Sequence, residues 1–188
     1  MTAGGVALDP AIETTLRAAL ALLFAAAALH KLRDSAAFRA VVDDYRALPP
    51  PLGRAAAALL PWIEVAAAAA LAAPFSGSLR AAGPLLGAAL LAVYTGAIAL
   101  NLARGRRHLD CGCLGPSLRQ PLSAALLARN VVLVGAAFAC LLPPAPRSLH
   151  ALDAFTVVAA ALALALFWSG AHRALANAPR LAGLRVSP

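Results

Sequence analysis

Charged and aromatic residues are scarce in this sequence. Asp, Glu, Lys and Arg together make up 13% of the 188 residues, and Phe, Trp and Tyr make up 5%. An ordinary soluble domain is about 25% charged, so this composition argues against a water-soluble globule. Aromatic and β-branched residues, which fill sheets, are rare here while alanine is abundant, and this balance disfavours an all-β barrel.

Apolar residues make up 62% of the chain and are gathered in five blocks. The blocks cover about residues 14–32, 55–73, 84–103, 122–142 and 152–171. A helix rises about 1.5 Å per residue, so blocks of this length can cross a hydrocarbon core of about 30 Å. We therefore predict an all-α polytopic membrane helix bundle. A four-helix core occupies residues 1–145, and a fifth transmembrane helix with a basic cytoplasmic tail occupies residues 146–188.

The net charge of +8 lies mainly between the apolar blocks. No basic stretch is interleaved with aromatic residues, so we expect these charges to orient the helices and contact anionic lipid, with no nucleic-acid partner. If the five helices cross the membrane in turn, the positive residues on one side of the membrane are Lys31, Arg33, Arg39, Arg46, Arg54, Arg104, Arg106, Arg107, Arg119, Arg173, Arg180 and Arg185. The positive residues on or near the other side are Arg17, Arg80 and Arg147. The positive-inside rule then places the N-terminus outside and the C-terminus in the cytoplasm.

The start of the chain carries a further signal. No Lys or Arg precedes Arg17, so the first block is expected to be a retained helix and not a cleaved signal peptide.

Between the first and second blocks, residues 35–48 have apolar side chains at helical spacing, and the segment ends at Pro49. This pattern predicts a short helix along the membrane interface. Its apolar face serves either to pack on the protein's own bundle or to dock a partner.

Two of the three cysteines, Cys111 and Cys113, are separated by one glycine in the loop between the third and fourth blocks. Gly112 permits a tight turn that can bring the two thiols within disulfide distance. Nearby arginines favour the nucleophilic thiolate. The pair is therefore either redox-active or structural. A metal site is disfavoured, because His108 gives only a third ligand and no second Cys or His pair completes a tetrahedron.

Polar residues inside the apolar blocks form the second group of candidates. An ionisable side chain in a bilayer is costly and usually faces the bundle or a cavity. Glu64 and Arg129 are expected to pair across the bundle, either as a functional site or as a lock on helix packing. Lys31 either joins them or extends to the lipid headgroups. The candidate polar intramembrane residues are His30, Lys31, Glu64, Asn101, Arg129 and Asn130. Cys140, near the other end of the fourth block, is expected to be a small buried hydrophobe.

These residues together resemble the methylamine utilisation protein MauE family, which is similar in architecture to the wider DoxX-like membrane proteins. The likeness covers about residues 14–142 and is carried by seven pieces of the sequence. They are His30-Lys-Leu-Arg-Asp34, Phe38, Tyr45-Arg-Ala-Leu-Pro49, Pro61 with Glu64, Asn101-Leu102 with Arg104-Gly105, Asp110-Cys-Gly-Cys-Leu-Gly115 and Arg129-Asn130. Leu114 stands where family members usually have Phe. The Cys-Gly-Cys block is the most specific of these pieces.

The resemblance implies an accessory role in the bacterial inner (cytoplasmic) membrane. A thioredoxin-like partner, supplied by another chain, would act with Cys111 and Cys113 to mature or export the disulfide-rich small subunit of methylamine dehydrogenase. Such a protein is a maturation factor more than an enzyme, and no cofactor is expected. The alternative is a non-redox DoxX-like subunit that binds a quinone or another membrane protein, with Glu64 and Arg129 as its polar site.

Overall fold

The computed structural model describes residues 7–74, 76–112 and 120–184, and it is all-α as expected, with six α-helices in this part of the chain. The helices are α1 (Pro10–Arg33), α2 (Ser35–Tyr45), α3 (Pro50–Ala72), α4 (Ala82–Ala103), α5 (Ala124–Ala139) and α6 (Ala151–Leu184). A 3₁₀ turn, Gly77–Ala81, precedes α4. The short helix predicted after the first block is therefore present as α2.

Local sequence explains where the helices begin. The Asp9 carboxylate accepts a hydrogen bond from the Ala11 N–H at 2.8 Å, and Pro10 fills the first helical position of α1. Asp34 caps α2 in the same way. A capping carboxylate satisfies an amide that has no partner within its helix, and proline at the first position gives up no hydrogen bond. The starts of α1 and α2 are therefore set by local interactions.

Within the described part of the chain, four helical segments are long and apolar enough to span a membrane. They are Pro10–Arg33, Pro50–Ala72, Leu79–Ala103 and Ala151–Ala171. The fourth predicted block forms only the 16-residue helix α5, which is about 24 Å long at 1.5 Å per residue. The last helix continues beyond the predicted end of its block to Leu184, so much of the predicted tail is helical.

The main core lies between α1, α3, α4 and α5. Leu20 and Phe24 of α1 pack with Leu71 of α3 and Leu91 of α4, and each is at most 3% exposed. Cys140, at the end of α5, is fully buried in the same cluster, as predicted from the sequence. Helix α6 packs on α1 and, over Ala151–Ala171, leaves most of its apolar side chains exposed. Exposed apolar surface of this extent fits contact with lipid.

A network of charged side chains lies at the end of the bundle where α1 begins. Glu13 and Arg17 are each 8% exposed, and Glu13 also pairs with Arg80 at 2.8 Å. Arg17 donates hydrogen bonds to the carbonyls of Leu71 and Ala70. These carbonyls need an outside donor because the last carbonyls of a helix have no partner within it. Arg17 thus binds α1 to the C-terminal end of α3.

At the surface of the same end of the bundle, Arg147 donates hydrogen bonds to the carboxylates of both Asp9 and Asp153 at 2.8–2.9 Å. The hydrogen bond from Arg147 holds the pKa of the Asp9 carboxyl below its usual value. Because Asp9 precedes α1 and Asp153 lies in the first turn of α6, this arginine joins the N-terminal ends of two helices that are far apart in sequence.

Candidate functional site

The loop that carries Cys111 is fixed at its base by main-chain pairing. The Cys111 N–H donates to the Gln120 carbonyl at 3.0 Å. The Asp110 carboxylate accepts hydrogen bonds from the N–H groups of Gln120 at 3.0 Å and of Gly112 at 3.4 Å. Cys111 is half-buried and packs beside an apolar cluster. Cys113 lies outside the described residues, so its pairing with Cys111 stays a prediction.

Gly112 meets two constraints that only glycine satisfies. Its φ is +72°, in the left-handed region that side chains with a Cβ adopt at a cost. A Cβ at this position would also lie 2.8 Å from Cγ1 of Val41 in α2. The main chain at Gly112 therefore lies directly against α2, and this packing depends on the absence of a side chain.

We expect Gly112→Ala to destabilise the protein more than Gly105→Ala does. Gly105 has a similar φ of +74°, and no described heavy atom lies within 4 Å of the place that its Cβ would take. Its substitution therefore carries only the backbone cost of roughly 1–2 kcal/mol. Gly112→Ala adds the contact with Val41. Thermal unfolding of the detergent-solubilised variants measures the difference, and adding Val41→Ala should remove the excess. Equal losses at both glycines would contradict the close contact.

A cavity of about 330 Å³ lies between the C-terminal end of α1, α2 and this loop. Its volume is at the lower end of the range for ligand pockets, about 300–1,000 Å³. Among its lining residues are His30, Lys31, Phe38, Asp110, Gly112 and Gln120. The structure therefore brings two of the predicted polar residues, His30 and Lys31, to the same cavity as the cysteine loop.

Lys31 connects this cavity to a buried carboxylate. Its ammonium group pairs with Oε1 of Glu64, and the two side chains are 5% and 1% exposed. The Tyr94 hydroxyl donates to the same oxygen at 2.7 Å. The Lys31 Nζ also lies 5.1 Å from the ring centre of Phe38 and 4.9 Å from that of Tyr94, so aromatic faces replace part of its hydration. Lys31 therefore does not extend to the lipid headgroups.

The predicted pairing of Glu64 with Arg129 is wrong. Arg129 lies over the ring of Trp168, with its Cζ 4.6 Å from the ring centre, and donates to Oδ1 of Asn130 at 3.4 Å. The physical reason is the order of helix packing. Helix α1 packs along α3 and presents Lys31 to Glu64, whereas α5, which carries Arg129, packs mainly on α4.

Asn101 organises the arginine-rich segment that precedes the cysteine loop. The fully buried Asn101 donates to the Ala97 carbonyl at 3.1 Å and accepts a hydrogen bond from Arg106 at 3.3 Å. Arg106 also donates to the Tyr45 carbonyl at 3.3 Å. A cation is favourable beside the carbonyls that end a helix, so this arginine fastens the end of α2. Its stabilisation of a thiolate, predicted from the sequence, stays a prediction.

Sequence reasoning missed three residues of these sites. Tyr94 carried a usable signal, because a hydroxyl in the middle of an apolar span needs a partner just as Glu64 does. Arg17 was placed just inside the first helix but was counted only as a charge that orients the helices. Gln120 carried no local signal. In residues 7–74, 76–112 and 120–184, no group of three or more His, Cys, Asp or Glu side chains could hold a metal ion.

Comparison with known proteins gives one consistent result. A family model described as "Methylamine utilisation protein MauE" matches residues 9–143. The chain is 42% identical over 132 residues to the methylamine utilization protein MauE of Paracoccus denitrificans, covering 70% of this chain and 69% of that protein. The MauE of Methylorubrum extorquens is 41% identical over 142 residues, covering 74% and 75%. That of Methylophilus methylotrophus is 36% identical over 169 residues, covering 87% and 85%. No solved structure matches the chain significantly.

Proposed function

The chain belongs to the MauE family, and from this premise we propose that it is a membrane accessory protein of methylamine utilisation that exchanges disulfides through Cys111 and Cys113. Its partner is a thioredoxin-like protein. Its client is a disulfide-rich exported protein, in this family the small subunit of methylamine dehydrogenase. The chain assists maturation or export of this client and does not act on methylamine itself.

The proposed exchange balances in two steps. The thiolate of one cysteine attacks the partner's disulfide, and a mixed disulfide forms while the partner's other sulfur leaves as a thiolate. The second cysteine then attacks the mixed disulfide, which releases the reduced partner and leaves a Cys111–Cys113 disulfide. Two electrons pass from the cysteine pair to the partner, and the reverse sequence oxidises the partner.

The observation that supports this proposal most directly is the position of Gly112. Its left-handed backbone and its closeness to Val41 leave no room for a side chain between the two cysteines. Gly112 also borders the cavity that Lys31 lines. A glycine in this conformation at the edge of a cavity suits the tight turn predicted for a thiol pair that must both close on itself and meet a partner.

We propose further that the cavity end of the bundle faces the cytoplasm. The connections after α1 and after α4 lie together at this end, since Arg104 and Arg106 bond the carbonyls of Arg46 and Tyr45. These connections are the most basic in the chain, and basic loops remain on the cytoplasmic side. In the inner membrane of a bacterium, this orientation would put the N-terminus outside and the cysteine loop on the cytoplasmic side, so the proposed exchange would precede export of the client.

The exchange is tested by trapping the mixed disulfide. Cys111→Ser and Cys113→Ser are expressed separately, each with Cys140→Ala so that the buried third thiol cannot contribute. We expect at least one of them to accumulate a reducible adduct that contains a thioredoxin-like protein, because the resolving thiol is absent. The matched control is the Cys111→Ser, Cys113→Ser double variant, which cannot form the adduct.

The opposite result would favour the alternative function. If neither single variant forms an adduct, and the double variant still supports accumulation of correctly oxidised client, the two thiols are structural. A non-redox DoxX-like subunit, which binds a quinone or another membrane protein, would then describe the chain better.

A further inference from the structure

A hollow of about 740 Å³ lies at the corner between α2 and α3. Three charged residues, Asp43, Arg46 and Arg54, border it, and all three are exposed. Within the described part of the chain, none of their side chains forms a hydrogen bond or an ion pair with any residue. Two cations and one anion therefore border the same hollow, and their charged groups are open to a ligand.

The main chain around the hollow is held in place. The Arg46 N–H donates to the Asp43 carbonyl at 3.2 Å, and the Arg46 carbonyl accepts a hydrogen bond from Arg104 at 3.3 Å. The Oδ1 atom of Asp43 lies 3.8 Å from the place that a Cβ on Gly53 would take. The Asp43 carboxylate therefore lies beside the beginning of α3, and Arg54 is the next residue after Gly53 on that helix.

The hollow lies at the depth of the lipid headgroups. Its lining includes Pro50, the first residue of the spanning segment Pro50–Ala72, and the end of a span meets the headgroup layer on whichever side of the membrane it lies. Leu48 in the lining is exposed, and so are Leu52 and Leu59 of α3. A lipid seated here has its headgroup among the three charges and its acyl chains along this apolar surface.

We infer that the hollow binds the phosphoethanolamine headgroup of a membrane lipid. The phosphate pairs with Arg46 and Arg54, because guanidinium groups match phosphate oxygens with parallel N–H donors. The primary ammonium group, which carries three donors, bonds the carboxylate of Asp43. Phosphatidylcholine has the same phosphate, but its quaternary ammonium donates no hydrogen bond. Phosphatidylglycerol has no cation for Asp43. The inference concerns the surrounding lipid and does not depend on the thiol chemistry.

Trp62 provides the readout for a test in the full-length protein. It is exposed on α3 and lies about 12 Å along the helix axis from Arg54, at the depth of the acyl chains. The chain has two tryptophans, so Trp168→Phe leaves Trp62 alone. This variant is reconstituted in phosphatidylcholine bilayers with a minor share of one lipid that carries bromine on its acyl chains. Bromine quenches tryptophan fluorescence on contact, so quenching reports which lipid lies beside Trp62.

Three brominated lipids are compared at equal share: phosphatidylethanolamine, phosphatidylglycerol and phosphatidylcholine. We expect brominated phosphatidylethanolamine to be enriched beside Trp62 about threefold over each of the other two, the scale of one exposed charge pair. An excess of glycerophosphoethanolamine, which has the same headgroup and no acyl chains, should not relieve the quenching. Relief by this compound would assign the hollow to a soluble ligand and overturn the inference.

Substitutions in the single-tryptophan variant test the assigned contacts. Asp43→Asn should bring quenching by brominated phosphatidylethanolamine down to that by brominated phosphatidylcholine. Asp44→Asn, which changes the neighbouring exposed carboxylate outside the hollow, should leave the enrichment unchanged. Arg46→Gln combined with Arg54→Gln should remove the enrichment as well. Arg39→Gln is the control for the arginines, because this residue is exposed on α2 and does not line the hollow.

Three further results would contradict the inference. Equal quenching by all three brominated lipids would mean that the hollow selects no headgroup. Strongest quenching by brominated phosphatidylglycerol, unchanged by Asp43→Asn, would mean that the arginines bind anionic lipid without any role for the carboxylate. Loss of the enrichment in Asp44→Asn or Arg39→Gln would mean that the overall surface charge, and not the hollow, selects the lipid.

Discussion

Replacing Lys31 by methionine is expected to lower the free energy of unfolding by about 3–5 kcal/mol, the scale measured when one partner of a buried ion pair is removed. Glu64 is 0% exposed, and its Oε2 has no hydrogen-bond partner among the described residues even with Lys31 present. Without the ammonium group, only the Tyr94 hydroxyl would remain, among those residues, to stabilise the carboxylate. Unfolding of the purified protein by SDS titration, followed by circular dichroism, gives the difference.

Two further variants show whether the pair itself is responsible. Arg33→Met removes a positive charge from the exposed surface of the same helix and should change stability by less than about 0.5 kcal/mol. Adding Glu64→Met to Lys31→Met removes the stranded carboxylate and should recover most of the loss, because apolar side chains can replace a buried ion pair without net cost. A small effect of Lys31→Met, or no recovery in the double variant, would mean that the two side chains do not act as a buried ion pair.

Glu64 shows both the reach and the limit of sequence analysis in this chain. A carboxylate in the middle of an apolar block must find a partner, and that expectation needs no structure. The identity of the partner depends on which helix packs against the carboxylate. Composition cannot give that, since Lys31 and Arg129 are both cations near the ends of apolar helices. The helix order around α3 decided in favour of Lys31.

The cysteine loop, too, has one feature that the sequence predicts and others that only the structure reveals. Glycine between Cys111 and Cys113 predicts a tight turn from conformational freedom alone. Gly112 has the positive φ that such a turn allows, but the turn itself stays a prediction because Cys113 lies outside the described residues. The contact of that glycine with Val41 and the cavity beside it arise only because α2 folds back over the loop. Gln120 shows the limit most clearly, because a glutamine beside a proline is ordinary in sequence and becomes notable only once it is seen to be buried.

The second large effect is expected from substitution of Gly83, which tests the packing of α4 against α3. A Cβ on Gly83 would lie 2.7 Å from the main-chain atoms of Ala70 and Leu71, so α3 and α4 touch through their backbones at this point. Small residues allow such close approach between membrane helices. Gly83→Ala is therefore expected to destabilise the protein by about 1–3 kcal/mol, the usual cost of overpacking, since main-chain atoms cannot turn aside as a side chain can.

The contacts around this point place the effect of Gly83→Ala toward the upper end of that range. Arg17 donates to the carbonyls of Ala70 and Leu71, so a shift of α3 would also strain the charged network that joins α1 to it. Gly96→Ala, in the same helix, is the matched control, because no described heavy atom lies within 4 Å of its Cβ position. That substitution should raise stability by about 0.5–1 kcal/mol through helix propensity alone. Thermal midpoints that move in the same direction for both variants would contradict backbone contact between α3 and α4.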